Sequence, residues 1–300
     1  ENNELSVYGK YTIKLYKKCE KKWVKIEIDD KIPHWKSTQK PIFAQCQNNE
    51  MWILLLEKAF AKFIGDYSLL KGGSIAWALQ ALTGDQVMKF THIDRFWTKC
   101  KMVNVNKVVD PRSVKFFDSS EKYESDKIFE ILKEYDCQQS LLAAYIPNNK
   151  EWKKSNGIVA GHGYSILRVE EIGNIKLLQL RNPWGKFEWN GDWSDKSELW
   201  NTHPYVKLRL GNKVKNDGMF WMNWYDFQSL FSNIDICHRS LGVNDLAIDM
   251  HEDLYCGGPI VGCCEGCISF WCCCYGCKAL YWSKKSTYET IHTKKSCLIL

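Results

Sequence analysis

No arginine-rich run and no interleaving of aromatic with basic residues occurs in this sequence of 300 residues, and its net charge of +6 is modest. Nucleic acid is therefore not the expected partner, because a phosphate backbone calls for a concentrated basic face. Also lacking is any stretch that joins a charged start to an apolar core and a small-residue cleavage site. The chain opens Glu1-Asn2-Asn3 rather than on methionine, so this absence does not exclude a signal, and the expectation is that part of the N-terminus is missing. No internal repeat is evident, which argues against a solenoid. The 14 cysteines are not spread evenly, as a disulfide-stapled secreted domain would spread them. Cys19, Cys46, Cys100, Cys137 and Cys237 are scattered through the globular part and suit a reducing compartment. The others crowd the end, from Cys256 to Cys297.

What is present suffices for two compact units: 45% hydrophobic residues, 14 of all residues being tryptophan. Residues 11–29 alternate apolar and polar around Lys17-Lys18-Cys19-Glu20, the pattern of a hairpin. Trp52, Leu55, Leu56, Ala59, Phe60 and Phe63 recur at helical spacing, the pattern of a buried helix. Gly72-Gly73 then punctuates the chain as a hinge would. Residues 74–101 read as helical with a break at Thr83-Gly84-Asp85, and 119–137 as an amphipathic surface helix. Strands are expected over 141–146, 164–169, 176–182, 206–210, 219–222 and 234–237, with a short helix at 227–231. An antiparallel sheet with helices beside it is an α+β lobe.

Within that lobe, Gly161-His162-Gly163 precedes one strand and Asn182-Pro183-Trp184-Gly185 ends the next, the two joined through Gly173-Asn174. An isolated histidine is usually structural. Here glycines on both sides open the backbone to a ligand, and paired strand ends can bring the imidazole and the amide within hydrogen-bond reach. A cysteine protease needs this set: a base for the thiol, a neutral amide to orient the base, and an apolar cover over their bond. Trp189, Trp193 and Trp200 are expected to pack in the core rather than to stack on a ligand.

These blocks, together with Trp23 through Pro33, Asn49-Glu50-Met51-Trp52, Gly65 through Gly73, and Asp217 through Met222, resemble the protease core of the calpains from about Tyr8 to His238. The resemblance implies a papain-like, two-lobed α+β fold of calpain type with the first lobe incomplete. Residues 1–73 would end the first lobe, 74–240 would form the second, and 241–300 a Cys-rich tail. It further implies that His162 is the catalytic base, Asn182 its orienting partner and Trp184 the cover. The family's nucleophile lies in a Gly-x-Cys-Trp setting that no cysteine here shares, nor is the preceding oxyanion-hole glutamine present. The expectation is a nucleophile upstream of Glu1. The alternative is an inactive calpain-fold scaffold or substrate-binding protein at a membrane.

The family's calcium ligands align with Glu50 in the first lobe and with Glu188, Asp195, Asp217 and the carbonyl of Lys215 in the second. Hard oxygen donors suit calcium, while solvated loop acids are the alternative reading. Met219 stands where the family usually places another acid. At the end of the chain, Cys297-Leu298-Ile299-Leu300 fits a prenylation box with a geranylgeranyl-type last residue. Cys263, Cys264, Cys267, Cys272, Cys273, Cys274 and Cys277 are candidate palmitoylation sites among aromatic residues. Two lipid signals anchor stably where one does not. The competing reading is zinc bound by Cys264-x-x-Cys267 and Cys274-x-x-Cys277. The sequence thus leads to a calcium-regulated cysteine endopeptidase acting on protein substrates, cytoplasmic and tethered to a membrane by its tail.

Overall fold

Residues 6, 8–45, 51–70, 72–102, 114, 116–148, 152–212 and 214–238 are described in the computed structural model. The tail, with all the candidate lipidation and zinc-binding cysteines, lies outside these residues, as does Glu50. The expected first hairpin forms from β1 (Lys10–Lys17) and β2 (Lys22–Asp29), which pair antiparallel with Ile13 opposite Ile26 and Leu15 opposite Val24. Leu15, Ile26 and Ile28 are buried, while Trp23, Lys25 and Glu27 face outward, the two-residue alternation of a one-sided ribbon. Lys21 turns the chain in the left-handed region at φ 49°.

Helix α1 (Trp52–Ile64) is apolar on nearly every side and buried almost throughout, as an interior helix must be. It stops at Gly65, whose φ of 119° suits a residue without a Cβ. Helix α2 (Ile75–Thr83) starts at Ser74, whose hydroxyl accepts the Trp77 N–H at 3.2 Å, and ends at Gly84 in the left-handed region. Because α2 packs against β1, it belongs with the hairpin. The described residues up to Val87 form one compact unit, and Met88–Lys101 with Phe117–Ile236 form another.

Three segments differ from the periodicity reading. After α2 the chain forms β3 (Gln86–Ile93) and β4 (Phe96–Met102), an antiparallel hairpin turning through Asp94 at φ 56°, instead of continued helix. Left-handed Gly84 ends the helix, and Phe90 and Trp97 are then buried on one face of a sheet. Residues expected as one helix divide into β5 (Phe116–Tyr123) and α3 (Ser125–Cys137). The run 206–210, expected as strand, lies in a helix.

The remaining strands are β6 (Leu141–Tyr145), the small ribbon β7 (Trp152–Lys153) with β8 (Val159–Ala160), β9 (Gly163–Ile172), β10 (Ile175–Arg181), β11 (Met219–Asn223) and β12 (Asn233–His238). Short helices α4 (Leu199–Thr202), α5 (Pro204–Leu210) and α6 (Trp224–Leu230) complete the set. Eight strands make one sheet in the order β11-β10-β9-β6-β12-β3-β4-β5, with antiparallel pairing at β11/β10, β10/β9, β9/β6 and β3/β4.

Side chains of β10 and β11 alternate between two cores. Leu178, Leu180, Phe220 and Met222 join Phe129, Trp97 and Trp224 on one face. Leu177 and Trp221 join Trp193, Trp200, Val206 and Leu210 on the other. Trp193 and Trp200 are thus core residues, and Trp189 packs against the first cluster. Each such indole removes on the order of 200 Å² from water. The last strands of the sheet are therefore held from both sides, which makes them a rigid base for residues at their ends.

One buried acid gives the first unit a pH dependence. Glu57 of α1 is 4% exposed and accepts the Ala44 N–H at 2.8 Å. Burial pushes its pKa from 4.5 up to about 7, against the opposing pull of that N–H. The folded form binds the proton more tightly than the unfolded form, so stability is greatest below the unfolded pKa and declines as pH rises through the folded one. Between pH 4.5 and 7 the loss is expected to be about 3 kcal/mol. Urea unfolding of Glu57→Gln, which keeps an acceptor for Ala44, should show that decline removed; an unaltered pH slope would refute the assignment.

Candidate active site

Strands β9 and β10 are joined by Gly173-Asn174, with Gly173 at φ 61°, and pair from Ile172 opposite Ile175 to Arg181 opposite Ser165. A bulge between Gln179 and Leu180 shifts the register before the strand ends. His162 therefore enters β9 beside the point where Asn182 leaves β10. The two side chains meet: His162 Nε2 lies 2.9 Å from Asn182 Oδ1, with His162 3% exposed and Asn182 fully buried.

The direction of this bond follows from the amide's other partners. Trp184 N–H donates to Asn182 Oδ1 at 3.0 Å, and Asn182 Nδ2 donates to the carbonyl of Phe187 at 3.1 Å. The oxygen is thereby identified as the acceptor, so the imidazole must donate from Nε2–H. In the neutral ring this tautomer leaves the basic lone pair on Nδ1. Trp184 covers the bond, its ring centroid 4.3 Å from that of His162 at an interplanar angle of 42°. Behind the imidazole stands Tyr164, edge-on at 5.3 Å, whose hydroxyl accepts the Val159 N–H.

Several supporting groups had no clear signal in the sequence. Phe187 presents its carbonyl to Asn182 from a backbone at φ 64°, a conformation uncommon for phenylalanine. Gly218 accepts the Asn182 N–H at 2.7 Å through its carbonyl, and a Cβ on Gly218 would lie 2.4 Å from the Asn182 oxygen. Arg181 is buried with Nε and Nη1 unpartnered among the described residues, and Met219 opposite it offers no carboxylate.

The second-lobe acids lie near one another without forming a cage. Lys215 N–H donates to Asp195, Gly218 N–H to Glu188, and Met219 N–H to its neighbour Asp217. Burial raises the pKa of both Glu188 and Asp195, and charge from neighbouring acids adds to each, while backbone N–H groups oppose it. Among the described residues, no three His, Cys, Asp or Glu side chains converge on a common metal position. Hard carboxylate oxygens such as these are suitable donors for calcium.

The described cysteines are free thiols with no nucleophile-like setting. Cys100 is buried, and that burial pushes its pKa upward, the opposite of activation. Cys237 is buried against the Thr83 hydroxyl, while Cys19 and Cys137 lie exposed in a short 3₁₀ turn and at the end of α3.

An imidazole oriented by a neutral amide beneath an indole is an arrangement able to act as a general base toward a thiol. Residues 1–238 match the calpain family cysteine protease domain, and the chain belongs to that family. It is 37% identical over 237 residues to calpain-type cysteine protease ADL1 of Oryza sativa subsp. japonica, covering 78% of this chain and 10% of that protein. Calpain clp-1 of Caenorhabditis elegans is 35% identical over 235 residues, covering 76% of this chain and 27% of the relative. For calpain-9 of Homo sapiens the identity is 28% over 265 residues, covering 83% and 34%. The chain thus spans from a tenth to about a third of the length of these relatives.

Gly218→Ala should displace the backbone that carries Asn182, since the obstructing atoms belong to the main chain and φ is 82°. The expected result is a stability loss of about 1–3 kcal/mol and disappearance of the protected His162 Nε2–H resonance by NMR. Retention of that resonance at its wild-type position would contradict the role given to Gly218.

Proposed function

We propose that this chain is the base-bearing part of a calpain-type cysteine endopeptidase that cleaves protein substrates, with the nucleophilic cysteine supplied from outside these 300 residues. The observation that carries this reading is the buried His162–Asn182 hydrogen bond, 2.9 Å long. With Nε2–H committed to the amide, proton transfer runs through Nδ1. His162 takes the thiol proton to give a thiolate–imidazolium pair. The sulfur adds to the peptide carbonyl, and the imidazolium protonates the departing amine as the C–N bond breaks, leaving a thioester. His162 then draws a proton from water, which hydrolyses the thioester and regenerates the thiol. Asn182 carries no charge of its own, so it fixes the tautomer without trapping the imidazolium as a neutralised ion pair.

The test requires the coding region that extends upstream of Glu1 to supply a cysteine in a Gly-x-Cys-Trp setting. In that longer protein, His162→Ala should lower peptide cleavage by at least about 10²–10⁴-fold while circular dichroism stays unchanged. Wild-type turnover in the variant would sink the assignment.

Calcium regulation is part of the same proposal. Glu188, Asp195 and Asp217, with the carbonyl of Lys215, would hold one ion, and Glu50 would belong to a separate site in the other lobe. The charge of the first ion would relieve the repulsion among the second-lobe carboxylates. Support comes from the raised pKa of Glu188 and Asp195, to which neighbouring carboxylates contribute. Calcium should raise the urea midpoint of the chain and lower the Glu188 and Asp195 titrations seen by NMR. Glu188→Gln should weaken that response; a calcium-insensitive wild type would dismiss the site.

The proposed location is the cytoplasmic face of a membrane, with Cys297 prenylated and the upstream cysteines acylated. The free state of the described thiols is consistent with a reducing compartment. No helix among the described residues is long and apolar enough to cross a membrane.

A further inference from the structure

Between β2 and α1 the chain projects a short finger whose backbone is held by its own hydrogen bonds. Ile42 N–H donates to the Pro33 carbonyl at 3.0 Å, Trp35 N–H to Lys40 at 2.9 Å, and Gln39 N–H back to Trp35 at 2.8 Å. His34 and Pro41 form the antiparallel bridge between these bonds. Alternation in a paired ribbon puts His34 and Pro41 on one face and Pro33, Trp35, Lys40 and Ile42 on the other. Prolines at both 33 and 41 fix φ and further stiffen the strands.

The finger keeps large apolar groups in water. Trp35 is 56% exposed, Phe43 41% and Ile42 36%. Phe43 is also fixed by stacking on Tyr67, centroids 5.0 Å apart. Scattered surface hydrophobes are ordinary; this group is concentrated on one preformed element. Its charge is equally one-sided. From Lys31 to Gln45 there are three lysines and no aspartate or glutamate, and Lys36 and Lys40 flank the turn. Rigid indole and aliphatic groups on an element that carries lysines and no acid suit the headgroup layer of an anionic bilayer. The indole lodges at the interface, and lysine stems lie along apolar surface while their amines reach phosphate. A protein partner would have to supply a complementary acidic rim, whereas an anionic lipid surface supplies one everywhere.

We propose that the Pro33–Phe43 finger docks the protein on anionic lipid, with Trp35 entering the headgroup region and Lys36 and Lys40 contacting the phosphates. This contact lies in the folded part of the chain and is separate from any lipid carried by the tail.

The test uses the full 300-residue chain made in bacteria, hence without prenyl or acyl groups, and kept in a calcium chelator. It is sedimented with vesicles of phosphatidylserine and phosphatidylcholine, or of phosphatidylcholine alone. Binding is expected to the anionic vesicles only and to fall as salt rises. Trp35→Ser should weaken it about tenfold or more, and Lys36→Gln with Lys40→Gln by a comparable factor. Because this chain carries no lipid, its binding to the anionic vesicles is separate from the proposed tail anchor. Sedimentation with neither vesicle, equal sedimentation with both, or wild-type binding by the Trp35 or the lysine variant would overturn the proposal.

Discussion

The hydrogen bond from His162 to Asn182 depends on an amide that the backbone has already fixed. Trp184 N–H holds its oxygen, the Phe187 carbonyl holds its nitrogen, and Gly218 holds the main chain from which it projects. An asparagine free to rotate could offer its nitrogen to the imidazole, and that end cannot accept the ring proton. Three backbone groups therefore choose the histidine tautomer, although none of them touches the ring through a hydrogen bond of its own. The indole of Trp184 adds to this by excluding competing water from a bond that water would weaken.

The same loops that fix the amide also carry the acidic cluster, so the two sites share a scaffold. Gly218 is the clearest link: its carbonyl accepts from Asn182 and its N–H donates to Glu188. A change in charge or position at Glu188 acts on the residue that holds Asn182 in place. Arg181, immediately before Asn182, is buried with Nε and Nη1 unpartnered among the described residues, and Met219 lies across the strand from it. The electrostatics of this end of the sheet are thus uneven, with carboxylates raising one another's pKa in the loops and a buried guanidinium in the strand.

The β9–β10 hairpin was readable because its turn is Gly-Asn between two strand-like runs, and the pairing of His162 with Asn182 because both sit at strand ends. The supporting groups were not, since their roles rest on backbone direction. The carbonyl of Phe187 and the φ of Gly218 leave no side-chain pattern. Elsewhere, periodicity misled for identifiable reasons. Val206-Lys207-Leu208-Arg209-Leu210 alternates like a strand, yet Pro204 starts a helix and Gly211 ends it, and Val206 and Leu210 enter the core four residues apart. Residues 86–101 contain Gln, Met and Lys that suit helices, but burial of Phe90 and Trp97 against other strands decides the outcome.

The shortness of the β9–β10 connection also bears on the order in which the protein can fold. His162 and Asn182 are separated by 20 positions, and a two-residue turn closes most of that distance. Bringing them together therefore loses little loop entropy, and hairpins of this kind form in microseconds. The β9–β10 hairpin can bring His162 near Asn182 as a local event, ahead of the long-range pairing of β6 with β12 and of β12 with β3 that completes the sheet.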